Sequence, residues 1–281
     1  MKPYFREKFP ETAFKALSYL VLWLCAIYVT FFTGHDFFNK TLSLWDSARY
    51  KWTTQPTDLR LMYGLQASFY FYSVYSTLYM DKWKRDSHVM LLHHVVTLTL
   101  ICFAYSVGYL KIGVIIFVCN DICDVLLETA KAMAYLQKPG DRYEHFWINL
   151  GNVLSSLFAV SWLVLRNLFH LTKVFRSSSF GTFHSLPYLP SPMYLFFNIL
   201  VGSLYLFYMY WSYYIVMYII RLWSGTMQDG QNDDPRDEEV HIKYKRINSD
   251  EEKKESGKKE DEEEKKFKLD DSPNYKGRKE D

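Results

Sequence analysis

Loop cysteines, glycine-rich phosphate loops and strand-like alternation are all missing from this 281-residue chain. Its four cysteines, Cys25, Cys102, Cys119 and Cys123, lie inside apolar stretches, and no Cys-x-x-Cys pair occurs, which excludes a disulfide framework. Cys119 and Cys123 stand one helical turn apart, a spacing open to a metal, but read as buried, inert thiols. No cleavable signal-peptide pattern opens the chain: Lys2, Arg6, Glu7 and Lys8 precede a stretch long enough to span a bilayer. Overall apolarity is also low, with a mean hydropathy of −0.15. That average pools two unlike parts.

From residue 225 onward the chain holds 14 Lys and Arg against 19 Asp and Glu and almost no apolar runs. Blocks such as Glu262-Glu263-Glu264 and Lys265-Lys266 make it a low-complexity, disordered tail. Within it, Ser249 precedes Asp250-Glu251-Glu252 and is the expected site for an acidophilic kinase. The first 224 residues are basic on balance and carry the apolar runs. The expected organisation is a cytosolic segment 1–12, a membrane domain 13–224 and the tail 225–281.

Six stretches reach the roughly 20 apolar residues that a membrane helix needs: Ala13–Thr33, Leu59–Met80, His88–Val107, Ile112–Leu136, Phe146–Phe169 and Met193–Trp223. Lipid offers backbone groups no partners, so all should be helices, and the fold class is an all-α polytopic membrane bundle. The second stretch, with Gln66, Ser68, Ser73 and Ser76, should face protein more than lipid. His170–Pro192, rich in Ser and Pro, reads as a loop. An even helix number puts both termini on one side, and Lys and Arg near the ends of the connections make that side cytosolic. Asn39-Lys40-Thr41 is formally a glycosylation sequon but lies close to the membrane.

The chemistry concentrates between Asp86 and Lys131. His93 and His94 sit in the first turns of the third stretch, and Asn120, Asp121, Asp124 and Glu128 in the fourth. An ionisable group at membrane depth costs on the order of 2.5–3.5 kcal/mol, so it belongs in a bundle interior with a task. The two imidazoles point about 100° apart on a helix. Asp121, Asp124, Glu128 and Lys131 recur at helical spacing and share one face. A carboxylate opposite an imidazole would fix its tautomer and stabilise its protonated form. Three plainer readings compete: an ion-pair network, above all for Glu128 with Lys131; a metal site, with a single histidine cluster to serve it; and a receptor. Asp141-Arg142-Tyr143 spells a receptor tripeptide, but follows the fourth of six spans beside Pro139-Gly140 and reads as accidental.

The run from Tyr79 to Leu98, YMDKWKRDSHVMLLHHVVTL, resembles the opening of the signature motif of the ceramide synthases, and Asn120 to Lys131, NDICDVLLETAK, its second half. Similarity extends from about Pro10 to Trp223, the span of a TLC (TRAM–LAG1–CLN8) domain, and is strongest to the stearoyl-preferring animal members. The resemblance implies a multi-pass enzyme of the endoplasmic reticulum. It would transfer a fatty acyl group from acyl-CoA to the amine of a sphingoid base, giving dihydroceramide or ceramide. By position, His93 and His94 match the family's histidine pair, and Asp121 and Asp124 its aspartates. Asn120 stands where most animal members have His; it hydrogen-bonds but takes no proton. The family's usual chain begins well before this Met1, with one more membrane helix, so this is expected to be a short isoform or an incomplete gene model; the homeobox-like segment of some relatives is absent too.

One histidine, His93 by preference, is expected to act as nucleophile or base, oriented by Asp121 or Asp124. Asn120 and Glu128 are candidates to touch substrate, and Lys82, Lys84 and Arg85 at the cytosolic mouth to attract the CoA phosphates. No cofactor is implied beyond acyl-CoA as co-substrate. Expected partners are acyl-CoA, the sphingoid base, the bilayer and a homo- or heterodimer with other ceramide synthases, and no nucleic acid. Loop 170–192 is the expected tuner of acyl length. The rivals are a catalytically silent relative that binds or organises lipids or assists translocation, and a membrane hydrolase of the ceramidase kind.

Overall fold

A computed structural model describes residues 3–35, 37, 55–81, 86–136, 142–181 and 191–224. Among these residues every regular element is helical. The elements are α1 (Pro3–Phe31), α2 (Thr57–Tyr79), α3 (Ser87–Val107), α4 (Leu110–Leu136), α5 (Glu144–Ser161) and α6 (Ser191–Trp223). A wider helix continues α5 over Trp162–Phe175 and Ser177–Gly181. The six apolar stretches fall on these six helices. By length and composition, α1, α3, α5 with its continuation, and α6 can cross a membrane. α2 and α4 are diluted by the polar groups they carry inward.

Polarity runs inside out. Leu206 of α6 is 69% exposed and Leu168 60%, while Gln66 is fully buried and Asp121 only 1% exposed. A soluble protein does the reverse, so the outer surface fits lipid. α4 is the central helix: it packs on α1, α2, α5 and the wide segment, and touches α3. Its unbroken buried run Ile112–Phe117 follows from having neighbours all round.

The α3–α4 corner sets how the histidine helix faces the carboxylate helix. Gly108 adopts φ 87°, a left-handed cap that closes α3, and its N–H and that of Tyr109 both reach the Ala104 carbonyl, at 3.0 and 2.8 Å. α4 begins two residues later. The Tyr63 hydroxyl of α2 donates to the Tyr109 carbonyl at 3.0 Å and so pins α2 to the corner. A Cβ on Gly113 would overlap that hydroxyl, so glycine is required there.

Two boundaries differ from the sequence reading. α1 starts well before Ala13, because Glu11 pairs with Lys8 (3.0 Å) and Lys15 (2.7 Å) across helical turns. The helix after α5 also runs through Phe169 to Gly181, where a loop was expected from His170. Its bonds are of the i→i−5 kind, as from the Arg176 N–H to the Leu171 carbonyl. Trp162, Arg166, His170 and Val174 are its buried residues, four apart. The prolines that suggested a loop, Pro187 and Pro190, lie outside the described residues, and Pro192 sits in the first turn of α6, where proline is tolerated.

Candidate active site

Five segments send polar side chains into one buried volume. α3 supplies His93 and His94, α4 supplies Asn120, Asp121 and Asp124, and α2 supplies Gln66 and Tyr70. The wide segment adds Trp162, Arg166 and Asn167, and α6 adds Phe207, Tyr208, Trp211 and Ser212.

His93 is 8% exposed and walled by aromatic rings: Trp211 at 5.1 Å and Phe207 at 5.7 Å, both edge-on, and Tyr208 at 6.4 Å. His94 lies 5.7 Å away, centroid to centroid, and leans on Tyr70 at 6.0 Å. The Nδ1 atoms of both imidazoles are buried without a hydrogen-bond partner. Asp86, at the N-terminus of α3, accepts a long 3.4 Å bond from the Trp211 indole and ties that ring to the histidine helix.

The carboxylates are held by other groups. Gln66 Nε2 donates to Asp121 at 2.5 Å. Arg166 Nη2 donates to Asp124 at 2.5 Å and to the Asn120 carbonyl at 2.9 Å. Its guanidinium lies 4.4 Å over the Trp162 ring and 5.5 Å over Tyr208. No hydrogen bond joins either imidazole to either aspartate, so the expected direct histidine–carboxylate pair is not formed. The reason is physical: a carboxylate in a dry interior needs a donor, and Gln66 and Arg166 reach it from neighbouring helices. The link between the two sets runs through Asn120, whose Nδ2 donates to the Tyr208 hydroxyl at 2.8 Å, against the ring that packs on His93. Ser212, which takes bonds from the Trp162 indole (3.0 Å) and Asn167 (2.8 Å), returns one to the Tyr208 carbonyl at 2.7 Å.

Glu128 does pair with Lys131, at 2.7 Å, one turn further along α4. Lys15 of α1 bonds Glu11 and reaches Asp81 at 3.4 Å, joining α1 to the end of α2. Burial and the neighbouring Glu11 push the Asp81 carboxyl above its ordinary range, with Lys15 pulling the other way. Lys82, Lys84, Arg85 and Ser249 lie outside the described residues, as does the sequon at Asn39.

Arg166, Tyr208, Trp211 and Tyr70 are site residues that the sequence reading leaves out. Arg166 carries the same signal as Asp121, a charge within an apolar span. The aromatic residues carry none, in a chain with 23 Tyr and 21 Phe.

A cavity of about 20 Å³ starts beside Thr97, one turn after His93, and is lined by Tyr63, Tyr70, Asn120, Leu100, Phe197 and Leu204 among others. It has room for a water molecule. Gln66 Oε1, Thr97 Oγ1 and Arg166 Nε remain buried without partners. Together with the imidazoles they offer acceptors and a donor to a bound polar group. Among the described residues no three His, Cys, Asp or Glu side chains cluster as a metal would need.

Comparison with known proteins gives the family of the chain. The family model of the TLC domain matches residues 8–217. Human ceramide synthase 1 is 36% identical over 232 residues, covering 82% of this chain and 65% of that protein. Ceramide synthase LOH2 of Arabidopsis thaliana is 30% identical over 230 residues, covering 80% and 73%. Rice ASC1-like protein 3 is 35% identical over 189 residues, covering 65% and 63%. The chain spans 65% of the length of the human and mouse ceramide synthase 1 proteins it matches. With helices of the required kind and a TLC match over most of its length, this chain belongs to the TRAM–LAG1–CLN8 (TLC-domain) family.

Proposed function

We propose that the chain is a sphingoid-base N-acyltransferase, transferring a long acyl group, stearoyl in our reading, from acyl-CoA to sphinganine or sphingosine. The thioester C–S bond breaks and an amide C–N bond forms. One amine proton leaves and one is delivered to the departing CoA thiolate. The observation that carries this reading is His93: an imidazole in a dry aromatic wall, its Nδ1 without a partner, one turn from an apolar cavity. The names of the related ceramide synthases support the same chemistry.

In this mechanism His93 takes the acyl group or the amine proton, and His94 packs beside it. Asp121 and Asp124 set the charge of the site, and Asn120 orients the Tyr208 wall. The aromatic enclosure keeps water from the thioester. The hydrocarbon chain would lie along the Thr97–Leu100–Phe197 cavity, which at about 20 Å³ is closed to it until those side chains move. Lys82, Lys84 and Arg85 follow α2 in the sequence and are our candidates for the CoA phosphates, and Glu128 of α4 is a candidate to touch substrate. We place the protein in the endoplasmic reticulum membrane with both described ends of the bundle facing the cytosol, the domain covering 13–224.

Two observations favour the alternative, a silent lipid-binding relative: Asn120 cannot relay a proton, and no carboxylate touches an imidazole. Purified protein incubated with stearoyl-CoA and sphinganine separates the readings. Dihydroceramide detected by mass spectrometry supports the transferase. Bound but unconverted substrates support the alternative.

A further inference from the structure

The two aspartates have unlike partners. Asp121 is bonded by the neutral amide of Gln66, whereas Asp124 is bonded by a guanidinium that is charged at every working pH. Arg166 is 4% exposed, seated on Trp162 and Tyr208, and also holds the Asn120 carbonyl. It therefore grips α4 at both ends of the turn that presents Asp121. Arg166 lies in the buried row with Trp162 and His170. Other charged or titratable groups around Asp124 are Asp121, Cys123, Glu128 and Lys131 on its own helix, Tyr19 on α1, Tyr70 on α2 and Tyr208 on α6. None replaces the guanidinium.

We propose that Arg166 is a positioning residue and Asp124 its fixed counter-ion, which together orient Asn120 and Asp121 and leave Asp121 as the carboxylate whose charge changes during turnover. This rests on the acyltransferase reading above. Environment, not residue type, divides the labour between two carboxylates three residues apart on one helix. A counter-ion pair does its work by cancelling charge and holding shape. A neutral pair that still hydrogen-bonds cancels the charge and holds part of the shape.

The test compares Arg166→Gln, Asp124→Asn, the double variant and Asp121→Asn as full-length proteins in detergent, assayed with stearoyl-CoA and sphinganine and followed by thermal unfolding. Each single change at the pair strands a buried charge or its partner, so kcat falls on the order of 100-fold, or the protein fails to fold. The double variant folds and keeps at least about a tenth of the wild-type kcat, with KM within about threefold, because only geometry is loosened. Arg166→Lys, which keeps the charge without the fork, falls between Arg166→Gln and wild type. Asp121→Asn loses activity and is rescued by none of these changes. A folded double variant as inactive as the singles would overturn the proposal, since a member of the pair would then do chemistry itself. A double variant that fails to fold would overturn it too, by making the pair a support of the whole bundle. So would an Arg166→Gln protein with wild-type kcat. If wild type itself makes no amide, the acyltransferase reading fails, and the pair is judged by unfolding alone: non-additive melting shifts between 166 and 124 are required, and additive ones overturn the pairing.

Discussion

Asn120 can be tested in depth, because the structure gives it a measurable task. Its Nδ2 donates to the Tyr208 hydroxyl at 2.8 Å, while its backbone carbonyl accepts from Arg166. Asn120→Leu keeps the branched shape and the backbone bond but leaves the Tyr208 hydroxyl without its donor. Both residues are buried, Tyr208 fully and Asn120 to 8% exposure, so water does not compensate. Leaving one buried partner unpaired costs about 1–3 kcal/mol, which is roughly a 5- to 150-fold loss in kcat/KM where that geometry is used in the transition state. Tyr208→Phe removes the acceptor, and the double variant should cost no more than the worse single one. The coupling in that cycle is expected near 1 kcal/mol. Asn120→His still presents a ring N–H, so it should change kcat/KM by less than about threefold. Steady-state kinetics on the four proteins decides this. Additive effects of Asn120→Leu and Tyr208→Phe would refute the bond as the functional link. A gain of more than about tenfold in Asn120→His would show that a proton-carrying side chain is missing there.

The remaining predictions concern the scaffold and its rim. Gly113→Ala drives a methyl group into the Tyr63 hydroxyl and should destabilise the bundle by about 1–3 kcal/mol, read as a lowered melting temperature in detergent. Lys131→Ala breaks a partly exposed pair one turn apart and should alter activity by less than about twofold, which the same kinetic assay checks. At the other end of α2, His35 bonds Asp58 at 2.7 Å. Burial raises the Asp58 carboxyl, but the His35 bond and the Leu59 backbone N–H outweigh it and hold it below its ordinary value of 3.8. A depressed carboxylate adds stability above that value and loses it as pH falls through the folded one. Melting temperature should therefore drop faster below about pH 3.8 in wild type than in His35→Ala.

Much of the fold was legible in the chain. Apolar runs such as His88–Val107 and Met193–Trp223 announce helices because lipid permits little else, and the polar residues of α2 and α4 announced inward faces. The wide segment was not legible: Ser177, Ser178 and Ser179 look like loop, yet Ser178 donates to the Phe175 carbonyl at 3.0 Å and to Asn198 at 3.0 Å, which keeps the chain wound. At the site, His93, Asp121 and Asp124 stood out as charges in lipid. Their partners did not, since which donor reaches Asp121 first depends on how α2 docks at the Gly108 corner. Arg166 obeyed the same rule as the aspartates and was the residue to add. Tyr208 and Trp211 are indistinguishable by type from the outward aromatics Tyr210 and Tyr213 beside them.

The central claim is that the buried imidazoles perform acyl transfer. Amide formation from stearoyl-CoA and sphinganine by wild type and by the His93→Ala/His94→Ala double variant, both folded and at equal concentration, tests it most directly. Wild type should yield dihydroceramide and the double variant none above background. Equal product from the two proteins would contradict it.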